Sequence, residues 1–277
     1  MVDREYLRIP NLREGYVTLC NHVLTHGDKA TVRGLPMREI RSATVVCEDS
    51  TDTLPTGVNR KLNTSIAAAE AAQLVGGVSW PQVMINVQSR FASFMRDGTF
   101  HGAYGVRMRF AWPKIVSTLT KDRSSRQAVA AIWRNELDLD IRDPDVPCTA
   151  LFQFQLRNDV LDMDVYMRSQ DIWWGTVHDF FQFTQVQQTI ANVLNVKPGR
   201  YTLHAGNLHL YERDIPGIEA LTPADDTYRF RPSGFMGVTM EDAMDQAARI
   251  FTGPTDLDMR SETVRWYIER LGKHLGG

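Results

Sequence analysis

The clearest pattern of hydrophobic and polar positions is a strict alternation in the stretch TALFQFQLRNDVLDMDVYM at 149–167. Apolar residues fill every second position on both sides of Asn158-Asp159, which is typical of two strands with one buried face each. Asparagine and aspartate tolerate the left-handed backbone conformation of a tight turn. The pattern therefore predicts a β-hairpin whose strands are Thr149–Arg157 and Leu161–Met167.

Three segments carry signals of α-helices, namely apolar residues every three or four positions, a high alanine content, or a glycine at the expected end. They are Leu12–His26 before Gly27, Ser65–Val75 before Gly76-Gly77, and His178–Asn195, in which Phe183, Val186, Ile190 and Val193 recur. The last helix is predicted to be amphipathic, with one apolar face in the core.

Shorter β-branched and apolar runs predict further strands at Ala43–Cys47, Gln127–Trp133, Tyr201–His204 and Leu208–Tyr211. The run Gln127–Trp133 is expected to be buried. Leu137–Pro147 is acidic and contains prolines, so it is predicted to be a loop. Strands and helices are interspersed without a strict β-α-β rhythm, which favours an α+β or mixed-sheet fold.

The composition is that of a soluble globular protein, with 277 residues, 43% of them hydrophobic and 23% charged. A formal net charge of −2 argues against broad binding of nucleic-acid backbone. No run approaches the roughly 18 apolar residues of a membrane span, and the charged N-terminus is unlike a secretory signal. We therefore expect a cytoplasmic protein with no nucleic-acid and no membrane partner.

The cysteines Cys20, Cys47 and Cys148 are widely spaced, which indicates neither a disulfide framework nor a CxxC zinc site. No HExxH or comparable spacing of histidine ligands occurs, so no metal site is expected. A free and reactive thiol suits a reducing compartment.

Candidate chemistry is concentrated between Pro147 and Tyr211. The groups are Pro147-Cys148, Arg168-Ser169-x-Asp171, Gly175, and Asn207-x-His209-x-Tyr211. A cysteine thiolate can attack an electrophilic ring, and an arginine beside a serine hydroxyl suits a phosphate. Taken singly, such a cysteine is more often buried packing, such an arginine a solvated surface residue, and the His-Tyr pair a polar strand edge.

Together these groups resemble the folate-dependent thymidylate synthase superfamily, whose signature is Pro-Cys, Arg-Ser-x-Asp-x-x-x-Gly and His-x-Tyr. The resemblance is dense over 120–213, thinner from Arg33 to Arg107, and fades over the last sixty or so residues. It implies a single domain over 1–277 with a large twisted mixed β-sheet flanked by helices. It also implies a homodimer that is packed through a sheet face and shares its active sites between subunits.

The resemblance assigns roles to most of the candidate residues. Cys148 would add to carbon 6 of a pyrimidine, which makes carbon 5 nucleophilic. Arg168 would bind the phosphate and lower the pKa of the thiol. The other substrate-binding residues are expected to be Arg33, Arg126 from the partner subunit, Ser169, Asn207, His209 and Tyr211. The family's usual second arginine after Arg126 is here Gln127.

Asp179 is the residue that bears most directly on the substrate. Thr176-x-x-Asp179 fits a capping box, which would be a purely structural role. The resemblance instead implies base recognition, because synthases that act on uracil carry asparagine here and cytosine hydroxymethylases carry aspartate. An ionised carboxylate only accepts hydrogen bonds, which matches the amino group of cytosine and a protonated ring nitrogen 3.

Two further catalytic residues follow from the resemblance, Glu70 and Tyr104. Glu70 lies among alanines and is either solvent-facing or a buried acid with a raised pKa. The family uses a glutamate here to move protons through water, and the tyrosine to help remove the carbon 5 proton. As a core aromatic, Tyr104 would have no such role.

The folate pocket is expected to be lined by Asp171, Gly175, Trp173 and Trp174, since pteridine rings stack on aromatic side chains. Either tryptophan could instead be a core residue. The co-substrate would be 5,10-methylenetetrahydrofolate. The prediction is a deoxycytidylate (dCMP) 5-hydroxymethyltransferase with a Cys148 covalent adduct. The alternatives are methylation of dUMP or dCMP, hydroxymethylation of CMP, and a non-catalytic nucleotide-binding protein.

Overall fold

A computed structural model of the protein describes residues 4–139, 143–225, 231–252 and 257–275. The α-helices of these residues, α1 to α10 in chain order, are Leu12–His26, Thr64–Gly76, Pro81–Val87, Tyr104–Met108, Ala111–Lys121, Asn135–Asp138, Thr176–Leu194, Ile215–Glu219, Met240–Arg249 and Glu262–Leu275. The strands, β1 to β8, are Tyr6–Ile9, Asp28–Val32, Leu35–Cys47, Val129–Ala131, Thr149–Arg157, Val160–Met167, Gln170–Asp171 and Lys197–Tyr211.

The strands form one mixed sheet of eight strands in the order β1-β3-β8-β6-β5-β4, with β2 beside β3 and β7 beside β8. The pairs β1·β3, β6·β8 and β7·β8 are parallel, and the others are antiparallel. Helices flank this sheet, which confirms the predicted α+β fold. The described elements share one large cluster of buried apolar side chains. That 1–277 forms a single domain stays a prediction.

The predicted hairpin is confirmed as β5 and β6, with β6 beginning one residue earlier, at Val160. Asn158 and Asp159 have φ values of 50° and 57°, so both central residues of the turn are left-handed. This turn matches the twist of the flanking strands. The alternating apolar side chains of both strands lie in the core.

The longest strand was predicted as two short ones, and this prediction was wrong. Tyr201–His204 and Leu208–Tyr211 belong to the continuous strand β8, Lys197–Tyr211. Ala205-Gly206 has weak strand propensity, but β8 pairs with β3 on one side and with β6 and β7 on the other. Backbone hydrogen bonds on both sides outweigh a low local preference.

Two other strands differ in extent from the prediction. Ala43–Cys47 is the end of the longer strand β3, which begins at Leu35. The run Gln127–Trp133 contains only the strand Val129–Ala131, at the edge of the sheet. Val129 is 44% exposed, so this is not the buried strand expected from its apolar residues.

The helices α1 and α2 confirm their predicted positions, with glycine at each end position. The helix α7 exists, but it is not amphipathic. Its side chains are buried nearly all around from Thr176 to Ala191, because it packs against helices α2, α5 and α9 and strands β6 and β8. Its buried glutamines Gln185, Gln187 and Gln188 donate to main-chain carbonyls. Gln187 donates to the carbonyls of Leu161 and Arg200, for example.

The predicted loop Leu137–Pro147 overlaps the end of α6, and residues 140–142 lie outside the described residues. Of the helices described, none combines the length and the apolar character needed to cross a membrane.

Candidate active site

Cys148 lies immediately before β5, on a loop that is tied down from two directions. The hydroxyl oxygen of Tyr104, at the start of α4, accepts hydrogen bonds from the backbone N–H groups of Cys148 and Thr149, each at 3.2 Å. The Tyr104 ring stacks on Phe183 of α7 at 6.2 Å between centroids. Tyr104 therefore sets the position of the Cys148 backbone and is more than a core aromatic.

Arg168 holds the same loop from the other side. Its Nε donates to the carbonyl of Pro147 at 2.8 Å, and its Nη2 donates to the carbonyl of Val146 at 3.0 Å. A guanidinium has five N–H donors, so donors remain for a phosphate. Arg168 is exposed, which leaves them accessible.

The electrostatic balance at Cys148 differs in part from the expectation. The charge of Arg168 lowers the pKa of the thiol, as predicted, but burial raises it more, and Asp179, Asp145 and Asp171 add to the rise. The net pKa of Cys148 is above its ordinary value. The free protein therefore carries a neutral thiol at neutral pH, which has to lose its proton when it reacts.

Asp179 lies in the first turn of α7, but it does not form the capping box that the sequence allows. The helix begins at Thr176, its N-cap residue is Gly175, and no side chain caps it. The carboxylate of Asp179 instead accepts one hydrogen bond at each oxygen. Gln182 Nε2 donates to Oδ1 and Gln170 Nε2 donates to Oδ2, both at 2.9 Å. The capping interpretation is therefore wrong.

Three carboxyl groups near the site have raised pKa values: Asp179 and Asp145 lie near the thiol, and Glu70 lies near both of them. Burial is the main cause in each, and it raises the pKa of Asp179 to about 6 and that of Asp145 to about 6. The pKa of Glu70 also lies well above its ordinary value, because of burial and the nearby charges of Asp179 and Asp145. Glu70 is half-buried with a raised pKa, which excludes the solvent-facing interpretation, and its catalytic role stays a prediction. Such groups can hold or release protons near neutral pH.

Asp171 and Gly175 shape the turn that leads into α7. Asp171 Oδ1 accepts the backbone N–H groups of Trp173 and Trp174, at 2.8 and 3.0 Å. A Cβ atom at Gly175 would lie 3.1 Å from Asp179 Oδ2 and 3.1 Å from Gln170 Nε2. Glycine is therefore the residue that lets this turn approach the Asp179 carboxylate closely.

The two tryptophans beside Asp171 differ in accessibility. Trp174 is 47% exposed, and the guanidinium of Arg90 lies 5.8 Å from its ring. Trp173 is covered by Arg60, whose guanidinium lies 3.9 Å from the ring and donates to the Trp173 carbonyl. Of these two tryptophans, Trp174 is therefore the more accessible to a ligand.

The strand β8 carries Asn207, His209 and Tyr211 on one face, as predicted. The rings of His209 and Tyr211 meet edge to face at 5.2 Å, and Asn207 Nδ2 donates to Glu39 Oε2 at 2.6 Å. His209 pairs in register with Asp171 of β7, which brings this face to the edge of the site. Burial lowers the pKa of His209, and its Nδ1 has no partner among the described residues.

Three predicted substrate-binding residues are not held in this cluster by contacts within the described chain. Ser169 is half-buried beside Arg168. Arg33 lies in the β2–β3 turn with φ 51° and is exposed. Arg126 is exposed and lies just before β4. The nearby Ala128 carbonyl accepts a hydrogen bond from the backbone N–H of Phe154, and Phe154 is six residues along the chain from Cys148. At about 3.3 Å per residue this separation is on the order of 20 Å. Their roles stay predictions.

The structure also brings together residues that the sequence analysis missed. Gln182 lies three positions after Asp179 on α7, and this helical spacing was a usable signal. Gln170, Asp145 and Arg60 gave none, because Gln170 meets Thr176 and Asp179 across the turn into α7, and Asp145 and Arg60 contact distant segments. Asp145, for example, accepts the backbone N–H of Gly102 at 2.7 Å.

Comparison with known proteins adds a family and two relatives. The chain matches the family model described as thymidylate synthase over residues 14–227. It is 29% identical over 218 residues to the deoxyuridylate hydroxymethyltransferase of Bacillus phage SP01, covering 72% of this chain and 57% of that protein. It is 32% identical over 170 residues to the deoxyuridylate hydroxymethyltransferase of Pseudomonas phage M6, covering 58% and 48%. The chain thus spans about half the length of these relatives.

Proposed function

Since the chain belongs to the thymidylate synthase family, we propose that it transfers a one-carbon unit from a folate to carbon 5 of a pyrimidine nucleotide. The proposed substrate is dCMP and the proposed product is 5-hydroxymethyl-dCMP. The observation that carries this proposal is the Asp179 carboxylate, held by two amide donors close to the Cys148 thiol.

The thiol is proposed to act as the nucleophile. Its Sγ adds to carbon 6 of the ring, which turns carbon 5 into a nucleophile. Because the pKa of Cys148 is raised in the free protein, its proton has to pass to a neighbour. The pKa values of the acids Glu70, Asp145 and Asp179 are raised by burial, and the charges of Asp145 and Asp179 act on Glu70. Glu70 is proposed to move protons through water during the later steps.

Nucleotide binding is proposed to use the accessible donors around the thiol. Arg168 and Ser169 would bind the phosphate, and His209 and Tyr211 the sugar hydroxyl. Arg168 already holds the loop before Cys148, so phosphate binding and thiol placement would depend on one side chain. Through this coupling, binding of the phosphate would place Sγ against the ring of the same nucleotide.

The folate is proposed to bind against Trp174 and Asp171. The exposed face of Trp174 suits stacking of a flat ring. Asp171 uses Oδ1 for the backbone, and its Oδ2 has no hydrogen bond within the described part of the chain, so it can accept from an amino-pyrimidine edge. When bound, 5,10-methylenetetrahydrofolate supplies a one-carbon unit at the oxidation level of formaldehyde.

Hydroxymethylation of dUMP is a second candidate, and the names of the two phage relatives favour it. These names support a hydroxymethyl product over a methyl product, but they specify uracil. A neutral Asp179 could donate to uracil O4 and accept from N3–H. With a pKa of about 6, Asp179 is mainly ionised at neutral pH, and we therefore give cytosine preference.

The test is incubation of the purified protein with dCMP, CMP, dUMP or UMP and methylenetetrahydrofolate, followed by mass analysis. We expect dCMP to gain the elements CH2O and the folate to leave as tetrahydrofolate, because water adds to the exocyclic methylene. A gain of CH2 together with dihydrofolate would show methylation instead. Preferred turnover of dUMP would replace dCMP with the second candidate. Reactions without folate are the control.

A homodimer with shared active sites is also proposed. Arg126 lies too far from Cys148 of its own chain to reach the same nucleotide, on the strand spacing given above. The sheet surface around Asp164, Tyr166 and His204 is partly exposed, with the Tyr166 and His204 rings stacked at 4.5 Å. This surface is the proposed contact with the second subunit.

Mixing Arg126→Ala chains with Cys148→Ala chains tests the shared site. Each homodimer should be inactive or strongly impaired, whereas a heterodimer has one site with both defects and one site intact at both positions. We expect activity to recover toward half of the wild-type value per heterodimer. Subunit exchange is checked with differently tagged chains. No recovery despite exchange would place Arg126 in its own subunit's site or outside any site.

A further inference from the structure

A series of hydrogen bonds links the Asp179 carboxylate, through Gln170 and Thr176, to the backbone of β7. The Thr176 hydroxyl donates to the carbonyl of Asp171 at 3.3 Å. The same hydroxyl oxygen accepts from Gln170 Nε2 at 3.0 Å, and Gln170 Nε2 also donates to Asp179 Oδ2 at 2.9 Å. Thr176 and Gln170 are both buried.

The order of donors in this series determines the orientation of the Gln170 amide. A hydroxyl has one proton, and the Asp171 carbonyl takes the proton of Thr176. Thr176 can then only accept from Gln170, so the NH2 group of Gln170 faces both Thr176 and Asp179. Gln170 Oε1 is left buried without a partner among the described residues. An unsatisfied buried carbonyl is costly, so the neighbours must favour this orientation strongly.

We propose that Gln170, oriented by Thr176, is a positioning residue that keeps Asp179 an acceptor and thereby determines the preference for cytosine over uracil. Gln182 supplies the matching donor at the other oxygen. This inference rests on the proposed transfer to a pyrimidine nucleotide, and it assigns the base specificity of that same site.

The physical reason lies in where one proton can reside. Asp179 can form two hydrogen bonds with either base only if one extra proton is present, either on the base or on the carboxylate. This proton is taken up from water. Two amide donors disfavour that proton on the carboxylate. Cytosine N3 is basic and can hold it, which also makes carbon 6 more electrophilic toward Cys148. Uracil O4 is a carbonyl oxygen and far too weak a base, so uracil needs the proton on Asp179.

Other groups that face Asp179 do not favour its ionised form. They are Glu70 from α2, Tyr104 from α4, Cys148 from the loop before β5, Asp171 from β7 and Tyr201 from β8. All of these are acids, and burial also raises the pKa of Asp179. The side-chain groups that lower this pKa are Gln170 and Gln182.

The test compares Gln170→Met and Thr176→Val with the wild type, using dCMP and dUMP across the pH range. For Gln170→Met we expect the ratio of kcat/KM for dCMP to that for dUMP to fall about tenfold. The fall should appear in kcat for dCMP and not as a higher KM, since the proton stays on Asp179 and the ring is less activated. Thr176→Val, which leaves the amide free to turn, should show a smaller fall.

The pH dependence gives a second measurement. Binding of dCMP takes up a proton, so kcat/KM should fall as pH rises through the pKa of free Asp179, about 6 in the wild type. Loss of the Gln170 donor raises that pKa, and the fall should move to higher pH. Where dUMP is not turned over, kcat for dCMP and the pH profile of kcat/KM for dCMP are the measurements, and an unchanged kcat with an unchanged profile overturns the inference.

Gln187→Met is the matched control. Gln187 is a buried glutamine of α7 that also donates twice and also has an unpartnered Oε1, but it contacts Leu161 and Arg200. The Gln187→Met variant should unfold at a lower temperature than the wild type. It should keep the wild-type ratio of kcat/KM for dCMP to that for dUMP, and the wild-type pH profile. Gln182→Met replaces Gln170→Met if thermal unfolding shows that the latter is misfolded.

The outcomes separate the inference from the proposed function. A wild type that turns over dCMP, with variants that keep its base ratio and pH profile, overturns the inference alone. A wild type that transfers no one-carbon unit to any of the pyrimidine nucleotides overturns the proposed function, and the inference with it. A fall in the ratio that Gln187→Met shares would mark a general loss of packing and also overturn the inference.

Discussion

Cys148→Ala is expected to abolish turnover while nucleotide binding stays within about tenfold of the wild type, because the sulfur forms its bond only during the reaction. The groups proposed to hold the phosphate and the base do not act through Sγ. The alanine variant keeps the backbone N–H group at position 148, which donates to the hydroxyl oxygen of Tyr104. Structure and binding should therefore persist when catalysis is lost.

Release of tritium from carbon 5 of labelled dCMP is the measurement, since exchange at carbon 5 requires prior addition at carbon 6. We expect release by the wild type and none by Cys148→Ala. Cys47→Ala is the control, because Cys47 is buried in β3 and burial raises the pKa of its thiol to about 12. Undiminished release by Cys148→Ala would show that Cys148 is not the nucleophile.

Asp179→Asn should shift the preference from cytosine toward uracil by roughly ten- to a hundredfold, as expected for a donor–acceptor mismatch in a buried site. The asparagine carbonyl can accept from Gln170, whose NH2 group is held by Thr176. The new NH2 group then faces Gln182, whose amide has to turn. The variant presents one donor and one acceptor, which match uracil O4 and N3–H.

The stability of this variant separates base recognition from a structural role. Burial raises the pKa of Asp179 from 3.8 to about 6, so ionisation destabilises the folded state as pH rises through that interval. Asparagine has no such ionisation, and the variant should unfold at no lower temperature than the wild type at pH 7. A lower unfolding temperature with unchanged base preference would mean that Asp179 only supports the fold.

Local pattern was sufficient for the elements whose signals are contained within one segment. The hairpin 149–167 follows from strict alternation around Asn158-Asp159, and α1 and α2 follow from composition and terminal glycines. The spacing of Pro147-Cys148, Arg168-Ser169-x-Asp171 and His209-x-Tyr211 was enough to indicate the family. These features depend on neighbours in sequence, which is why the sequence alone determined them.

Tertiary structure decided the features that depend on distant segments. β8 is continuous because it has hydrogen-bonded neighbours on both sides, and α7 is buried nearly all around because helices and sheet enclose it. Asp179 is an acceptor held by Gln170 and Gln182 and not a helix cap, although its local spacing fits both roles. The raised pKa values of Glu70, Asp145, Cys148 and Asp179 arise from shared burial, which no single segment encodes.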